Sequence, residues 1–466
     1  MAKKVYDNTS IKSLKGPDKI RKRPGVMLGS DDVTGTEHTF FEILSNSIDE
    51  AKDGHGDIIK ITLHKDHSIT IQDYGRGIPL DFNEEEDRFN WELVFCELYA
   101  GGKYDEDNYE YSLGLNGLGA CATQFSSEFF DVEVIRDGYK YNLHFEKGYN
   151  IGGLQKTKLK PKEAKEIPTG TIQHWKPDLE VFTDIEIPKE YFEQVLETQA
   201  MVNAGIKFIF ENQKEDTIKE YYYENGLKEY VGKMLKDSKT LLTEPFTFEG
   251  EGVGRDREDK PDYKAKAEII FSFDNSVNLI QYYHNSSFLE HGGAPDKAAK
   301  KAFIYIIDKI IKQKGKYNKN ESKISFDDIS DSLVLIINSF STNTSYENQT
   351  KKAINNKFIE DFITDLIKEK LEIYFLEHDF DANKVIDQVL ANKRSREKAD
   401  EQRQILKKKL SGTSDSWDRV KKFVDCKSKD PTKKELFIVE GDSALGAVKM
   451  GRDSEFQAIM PIRGKR

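Results

Sequence analysis

Cysteine is scarce in this chain. Cys96, Cys121 and Cys426 are the only three in 466 residues, far apart and in no Cys-x-x-Cys pair. That excludes a disulfide framework, gives no zinc spacing, and fits a reducing compartment. Long apolar runs are also missing: nowhere do about 18 apolar residues follow one another, the length a membrane-spanning helix needs. The opening Met1-Ala-Lys-Lys-Val-Tyr6 has no apolar core of the secretory type, so a cytoplasmic protein is expected, with no membrane partner. Positive charge is in deficit, with 71 Lys and Arg against 82 Asp and Glu and a net charge of −11. Charge alone therefore does not predict a nucleic-acid binder; any such contact must come from local basic patches or from a partner. Hydrophobic residues make up 37% and charged residues 33%, and the length suffices for two or three domains with proper cores.

What is present starts with the stretch from Phe41 to Ala51. Phe41, Leu44, Ile48 and Ala51 recur at helical spacing on one face, with a threonine of Thr34-Gly-Thr36 available as a start signal. His38, Glu42, Asn46 and Asp49 recur on another face, three or four residues apart. Taken alone, that face reads equally well as a solvated surface.

Three further pieces shift the balance. Ser68 to Asp73 alternates as a strand does and ends in an acid, followed by the turn Gly75-Arg76-Gly77-Ile78-Pro79. Glycines after a strand-end acid let backbone approach a pocket closely. Gly101-Gly-Lys103 comes next, then Leu113-Gly-Leu-Asn-Gly-Leu-Gly-Ala120. Gly114, Gly117 and Gly119 make a loop whose amides can turn inward on phosphates, and it opens a helix. One glycine-rich loop is weak evidence and reads as a flexible connection; four pieces in this order and spacing are strong evidence.

These four pieces resemble the ATPase subunit of a type IIA DNA topoisomerase, the B subunit of gyrase or of topoisomerase IV. The ATPase fold is the GHKL (Bergerat) fold shared with Hsp90, MutL and sensor histidine kinases. Gln349-Thr-Lys351 and Glu440-Gly-Asp-Ser-Ala444 narrow the resemblance, since the second is similar to the opening of a TOPRIM domain and those relatives lack the pairing. The implied architecture is α+β: a GHKL ATP-binding domain with an N-terminal dimerisation arm (1–225), an S5-like α/β transducer ending in a long helix (226–410), then a linker and the first part of TOPRIM (411–466). The family's TOPRIM continues to an Asp-x-Asp pair that is absent here, which implies a truncated chain or the first part of a split subunit.

The resemblance implies cofactors ATP and Mg²⁺, and attack of water on the γ-phosphate. Glu42, beside apolar neighbours, is the general base expected of such chemistry. His38, one turn back, orients it, and Asn46 supplies a neutral oxygen to the ATP-bound Mg²⁺. Asp73 accepts from the adenine amino group beside Gly75, Gly77 and Ile78, with Thr171 on the pocket floor. Lys103, Tyr109 and the loop Gly114, Leu115, Asn116, Gly117, Leu118 and Gly119 hold phosphates and nucleoside. Gln349 and Lys351 reach the γ-phosphate from the second domain. Tyr6 and Ile11 belong to an arm that crosses to a second copy, and Tyr6 covers the partner's nucleotide. Glu440 is the TOPRIM Mg²⁺ ligand. Implied partners are DNA, a second copy in an ATP-dependent homodimer, and an A-type breakage-reunion subunit in a heterotetramer.

Elsewhere the pattern predicts strands at 59–63, 129–135, 139–145, 172–175, 207–211, 220–224, 265–273, 276–284, 332–339 and 435–439. Helices are expected at 91–99, 191–202, 297–312, 359–371 and about 385–406. Lys156–Lys165 reads as a surface excursion, 245–260 as a polar loop, and 105–110 as a lid. From Lys393 to Lys409 eight basic residues face three acidic ones: a solvated helix, or the wall of a DNA cavity whose contacts would be sequence-independent. Asn116, Tyr74, Ser45 and Ala294-Pro-Asp296 depart from the bacterial gyrase pattern and point to a divergent or phage-type member. The alternative of another class is a nucleotide-gated dimerising clamp without strand passage, against which Glu440–Ala444 argues.

Overall fold

The computed structural model describes residues 13–101, 111, 113, 117–347, 351–411 and 422–462. It divides into two units, Met1–Leu390 and Ala391–Arg466.

After two short helical segments, Asp18–Arg21 and Pro24–Leu28, the first unit places helix α1 (Val33–Lys52), which starts just before the threonine signal. Asp32 caps it, its carboxylate accepting from the Thr34 N–H at 2.8 Å. Helices α2 (Asn90–Cys96), α3 (Gly119–Phe125) and α4 (Lys189–Val202) follow, interleaved with the eight strands of the main sheet; the short pair Phe82–Asn83 and Arg88–Phe89 lies apart from it. The eight are β1 (Ile58–Leu63), β2 (Ile69–Asp73), β3 (Ser127–Arg136), β4 (Tyr139–Glu146), β5 (Tyr149–Lys158), β6 (Gly170–Pro177), β7 (Lys207–Asn212) and β8 (Thr217–Tyr221). They form one sheet in the order β8-β7-β1-β2-β6-β3-β4-β5. Only the β1–β7 pair is parallel. Alternation of apolar and polar residues gives the sheet one buried face. Ile59, Ile61, Ile71, Phe130 and Trp175 pack there against Phe40, Leu44 and Ile48 of α1 and Phe192 of α4. The Phe40 and Phe192 rings meet edge-on at 4.6 Å, worth about 0.5–1.5 kcal/mol beyond area burial.

The same unit holds a second sheet. Helix α5 (Gly226–Leu235) leads into β9 (Phe246–Gly254), β10 (Tyr263–Phe273), β11 (Leu279–His284) and β12 (Ser287–Phe288). Helix α6 (Ala294–Gln313), β13 (Leu333–Ser341) and helix α7 (Lys357–Glu377) complete it. The strand order is β9-β10-β13-β11-β12, with β11 and β13 parallel and the rest antiparallel, so the sheet is mixed. Its centre is β13, apolar almost throughout because both faces are covered. Leu333, Leu335 and Ile337 face α6 and α7, while Val334 and Ile336 face Leu227 and Val231 of α5.

Four expectations need correction. Residues 245–260 are not a loop over their first half but the edge strand β9. Its Gly250, Gly252 and Gly254 look like loop residues in sequence, yet a Cβ on each would strike Leu366, Phe362 or Phe358 of α7. The glycines make room for a helix. Lys156 and Lys158 belong to β5 and not to a surface excursion. The strands expected at 220–224 and 276–284 run 217–221 and 279–284.

Helix α8 (Asp379–Ser411) begins in the first unit and ends in the second. In the second unit, β14 (Glu435–Glu440) and β15 (Gln457–Ile462) pair in parallel around helix α9 (Gly441–Gly451), a βαβ unit. Among the described residues no helix is long and apolar enough to cross a membrane.

Gly293 joins β12 to α6 at φ +88°, and an added Cβ would lie 2.2 Å from the Ile354 carbonyl oxygen. Gly293→Ala should therefore cost at least about 1–3 kcal/mol in urea unfolding, with the transition remaining cooperative.

Candidate active site

Helix α1 sets the site because its polar face is turned inward. Glu42 is buried, and its neighbours come from three directions. His38 Nε2 lies 3.4 Å from Glu42 Oε1 from one turn earlier. Lys351 Nζ lies 3.4 Å from the same oxygen, delivered from beyond the second sheet. Gly119, at the start of α3, closes the third side: a Cβ there would be 2.2 Å from Glu42 Oε2. Any larger residue would push the carboxylate away. Burial holds the His38 pKa below the usual histidine value; Lys351 lowers it further, and Glu42 opposes both. The imidazole is thus neutral near pH 7 and pairs with Glu42 as a hydrogen-bonding group rather than as a cation.

Lys351 does a second thing. It sits at φ +58° and donates to the Leu113 carbonyl oxygen at 2.9 Å. The N–H of Leu113 donates to Asp49 Oδ1 at 2.7 Å. The peptide groups leading into the glycine loop are therefore clamped by a cation on one side and a buried acid on the other. Sequence reading placed Asp49 on the polar face of α1 but gave it no role; its spacing from Glu42, two turns on, was the available signal.

The second cluster surrounds Asp73, at the end of β2. Its Oδ1 accepts from the N–H groups of Gly75 and Thr171, both at 3.1 Å, and Oδ2 accepts from the Ser47 hydroxyl at 3.0 Å. Thr171 Oγ1 in turn accepts from the Ile78 N–H at 3.2 Å. Hydrogen bonds thus bring Thr171, Gly75 and Ile78 together around Asp73, while Ser47 carried no sequence signal. Gly77 lies at φ +78°, with its carbonyl held by Arg136 at 2.7 Å. Burial raises the Asp73 pKa to about 6, against the lowering effect of its three donors. Asn46 is half-buried on α1 between these clusters in sequence.

Gly117, Leu118 and Gly119 lie at the entry to α3, where the Gly117 carbonyl accepts from the Tyr99 N–H at 3.0 Å. Tyr6, Ile11, Lys103, Tyr109, Gly114, Leu115, Asn116 and Gln349 lie outside the described residues, as does the lid 105–110. Glu440 ends β14 in the second unit and stands at the N-cap position of α9, without a capping hydrogen bond from its side chain. Among the described residues no three His, Cys, Asp or Glu side chains are gathered as a metal would need.

A folded-state pKa raised from 3.8 to about 6 means that ionising Asp73 opposes folding. The penalty is absent below about pH 4, grows as pH rises to about 6 and is then constant, reaching about 3 kcal/mol. Relative to Asp73→Asn, the wild type should lose that much stability over this window in urea unfolding. A difference independent of pH would show an unperturbed carboxylate.

Comparison with known proteins agrees with this arrangement. A family model described as histidine kinase-, DNA gyrase B-, and HSP90-like ATPase matches residues 31–139, and one described as DNA gyrase B matches residues 226–405. The chain is 34% identical to the DNA gyrase B protein of Mycoplasma genitalium over 470 residues, covering 99% of this chain and 70% of that one. It is 33% identical to the DNA gyrase B protein of Thermotoga maritima, covering 99% and 71%. Among solved structures, the 43K ATPase domain of Thermus thermophilus gyrase B in complex with an aminocoumarin superposes with a TM-score of 0.63 at 25% identity, covering 84% of this chain and 98% of that one. The ATP-binding domain of Francisella tularensis topoisomerase IV shares the fold, with a TM-score of 0.63 at 24% identity. The chain belongs to the DNA gyrase B family.

Proposed function

We propose that the chain is the ATP-binding and hydrolysing subunit of a cytoplasmic type IIA DNA topoisomerase. Residues 1–225 form the nucleotide domain, 226–410 the transducer, and 411–466 a linker with the first part of TOPRIM. Closure of two copies on ATP drives a DNA segment inward, and an A-type subunit cuts and reseals the other segment. The carrying observation is the buried Glu42, reached by a lysine from beyond the second sheet.

Each residue then has a task. Glu42 takes the proton from the attacking water, and neutral His38 orients it. Lys351 balances charge on the terminal phosphate and, with Gln349, ties the second sheet to the presence of that phosphate. Hydrolysis removes the tie, so nucleotide state sets domain geometry. Asp73 accepts from the adenine amino group; Oδ2, with one donor from Ser47, has room for another. Thr171, Gly75, Gly77 and Ile78 shape that pocket. Lys103, Tyr109 and the Gly114–Gly119 loop hold phosphates and nucleoside, and Tyr6 covers the nucleotide of a second copy. Asn46 would hold Mg²⁺; a neutral oxygen one turn beyond Glu42 suits an ion that keeps its waters and shares phosphate oxygens. Bound there, the ion would offset phosphate charge. Glu440, at a strand end, would be a TOPRIM Mg²⁺ ligand once further acids joined it.

The test is ATP hydrolysis against chain concentration, wild type beside Glu42→Ala. The wild-type rate should rise faster than linearly, since two copies close together. The substitution should lower turnover at least about a hundredfold while ATP still binds. Undiminished turnover would remove Glu42 from the chemistry.

A further inference from the structure

The turn His284-Asn285-Ser286 joins β11 to β12 and is wholly buried, each of its residues at 0% exposure. Two of them adopt left-handed backbone, Asn285 at φ +45° and Ser286 at +63°. Strained, buried and polar, it needs a reason to exist. Its hydrogen bonds point two ways.

One side holds the root of the segment that delivers Lys351. His284 Nδ1 lies 2.8 Å from Ser339 Oγ, whose own proton goes to the Tyr283 carbonyl at 3.0 Å. Ser339 therefore accepts, and Nδ1 carries the imidazole proton. That leaves Nε2 to accept from the Thr344 hydroxyl at 2.9 Å, while Ser341 Oγ donates to the Asn343 carbonyl at 2.9 Å. Burial keeps the His284 pKa far down, at about 3, so this donor and acceptor pattern persists at any working pH. Asn285 adds a reciprocal pair, receiving the Ser341 N–H at 3.0 Å and giving to the Ser341 carbonyl at 3.1 Å. The chain leaving β13 is thus fixed seven residues before Lys351.

The other side grips the nucleotide-site helices. Ser286 Oγ donates to Asn203 Oδ1 at 2.7 Å, and its carbonyl accepts from Gln199 of α4 at 2.9 Å. Lys52, the last residue of α1, reaches Ser286 Oγ at 3.4 Å. Glu42 lies on that same helix, so one turn spans both ends of the Glu42–Lys351 contact.

We propose that His284 is a positioning residue for hydrolysis: with Asn285 and Ser286 it sets the register of the Lys351-bearing segment against the helix that carries Glu42. This rests on the reading of Glu42 and Lys351 given above. His284 touches no reacting atom and acts through Lys351.

The experiment is a double-mutant cycle on the full chain, with turnover at saturating ATP and separate binding of ADP. Wild type and Lys351→Ala come first; if Lys351→Ala turns over like wild type, the site reading fails and not this one. Given a deficit there, His284→Ala should lower kcat about tenfold and leave ADP affinity within about twofold, a misplacement effect. On the Lys351→Ala background the same substitution should cost less than about twofold more, because the two act through one contact. Thr344→Val, which removes only the hydroxyl donated to Nε2, should show the same non-additivity at smaller size, and it carries the prediction if His284→Ala does not fold. Losses that multiply, a matching fall in ADP affinity, or unchanged kcat in the folded variants would overturn the proposal.

Discussion

A carboxylate out of water, held against a lysine from the segment beyond the second sheet, is the constraint on which the first unit depends. Burying an ionised acid and an ammonium costs several kcal/mol for each, and only close mutual contact and further hydrogen bonds offset it. Glu42 meets the requirement with Lys351 and His38, and Lys351 completes its own coordination on the Leu113 carbonyl. Removing either charge leaves the other stranded, which is a larger loss than the pair's net worth. The two sheets are therefore joined at the place where charge is least easily tolerated. A ligand bringing negative charge to that place would compete directly for Lys351.

The rest of the seam is built to make that contact reproducible. Apolar packing supplies adhesion: Met201 and Val202 at the end of α4 meet Ile336 of β13 and Tyr283 of β11. Adhesion of this kind is not directional. Direction comes from polar groups set into it, such as Asn338 donating to the Val202 carbonyl at 3.1 Å and Gln199 to the Ser286 carbonyl. Buried polar bonds have steep geometric demands, so they select one register among many that apolar contact would accept. On the function proposed above, this seam is where nucleotide state would be converted into movement.

Much of this was legible in the chain before any fold was known, and the exceptions have causes. Helix α1 and the β1–β2 hairpin follow from periodicity, and the central strand β13 from its nearly continuous apolar run; both patterns report burial directly. The acid at the end of β2 and the glycines after it marked one of the two clusters of the candidate site. The edge strand β9 was missed because its glycines answer to α7, more than a hundred residues further on. Ser47 was missed because a serine inside an apolar helix carries no pattern. Asp49 was seen and left idle, since its partner is a backbone N–H 64 residues away.

By itself the sequence determined which residue types were available and in what local order: a helix with a polar stripe, a strand ending in an acid, a glycine loop, a lysine after Gln349. Those are properties of neighbours along the chain, and periodicity and turn chemistry express them. Only the tertiary structure decided that Lys351 meets Glu42, that Leu113 is clamped between Lys351 and Asp49, and that the turn at His284 ties one segment to the other. Those contacts join residues from tens to hundreds of positions apart, and their geometry depends on how two sheets pack, which no local pattern encodes.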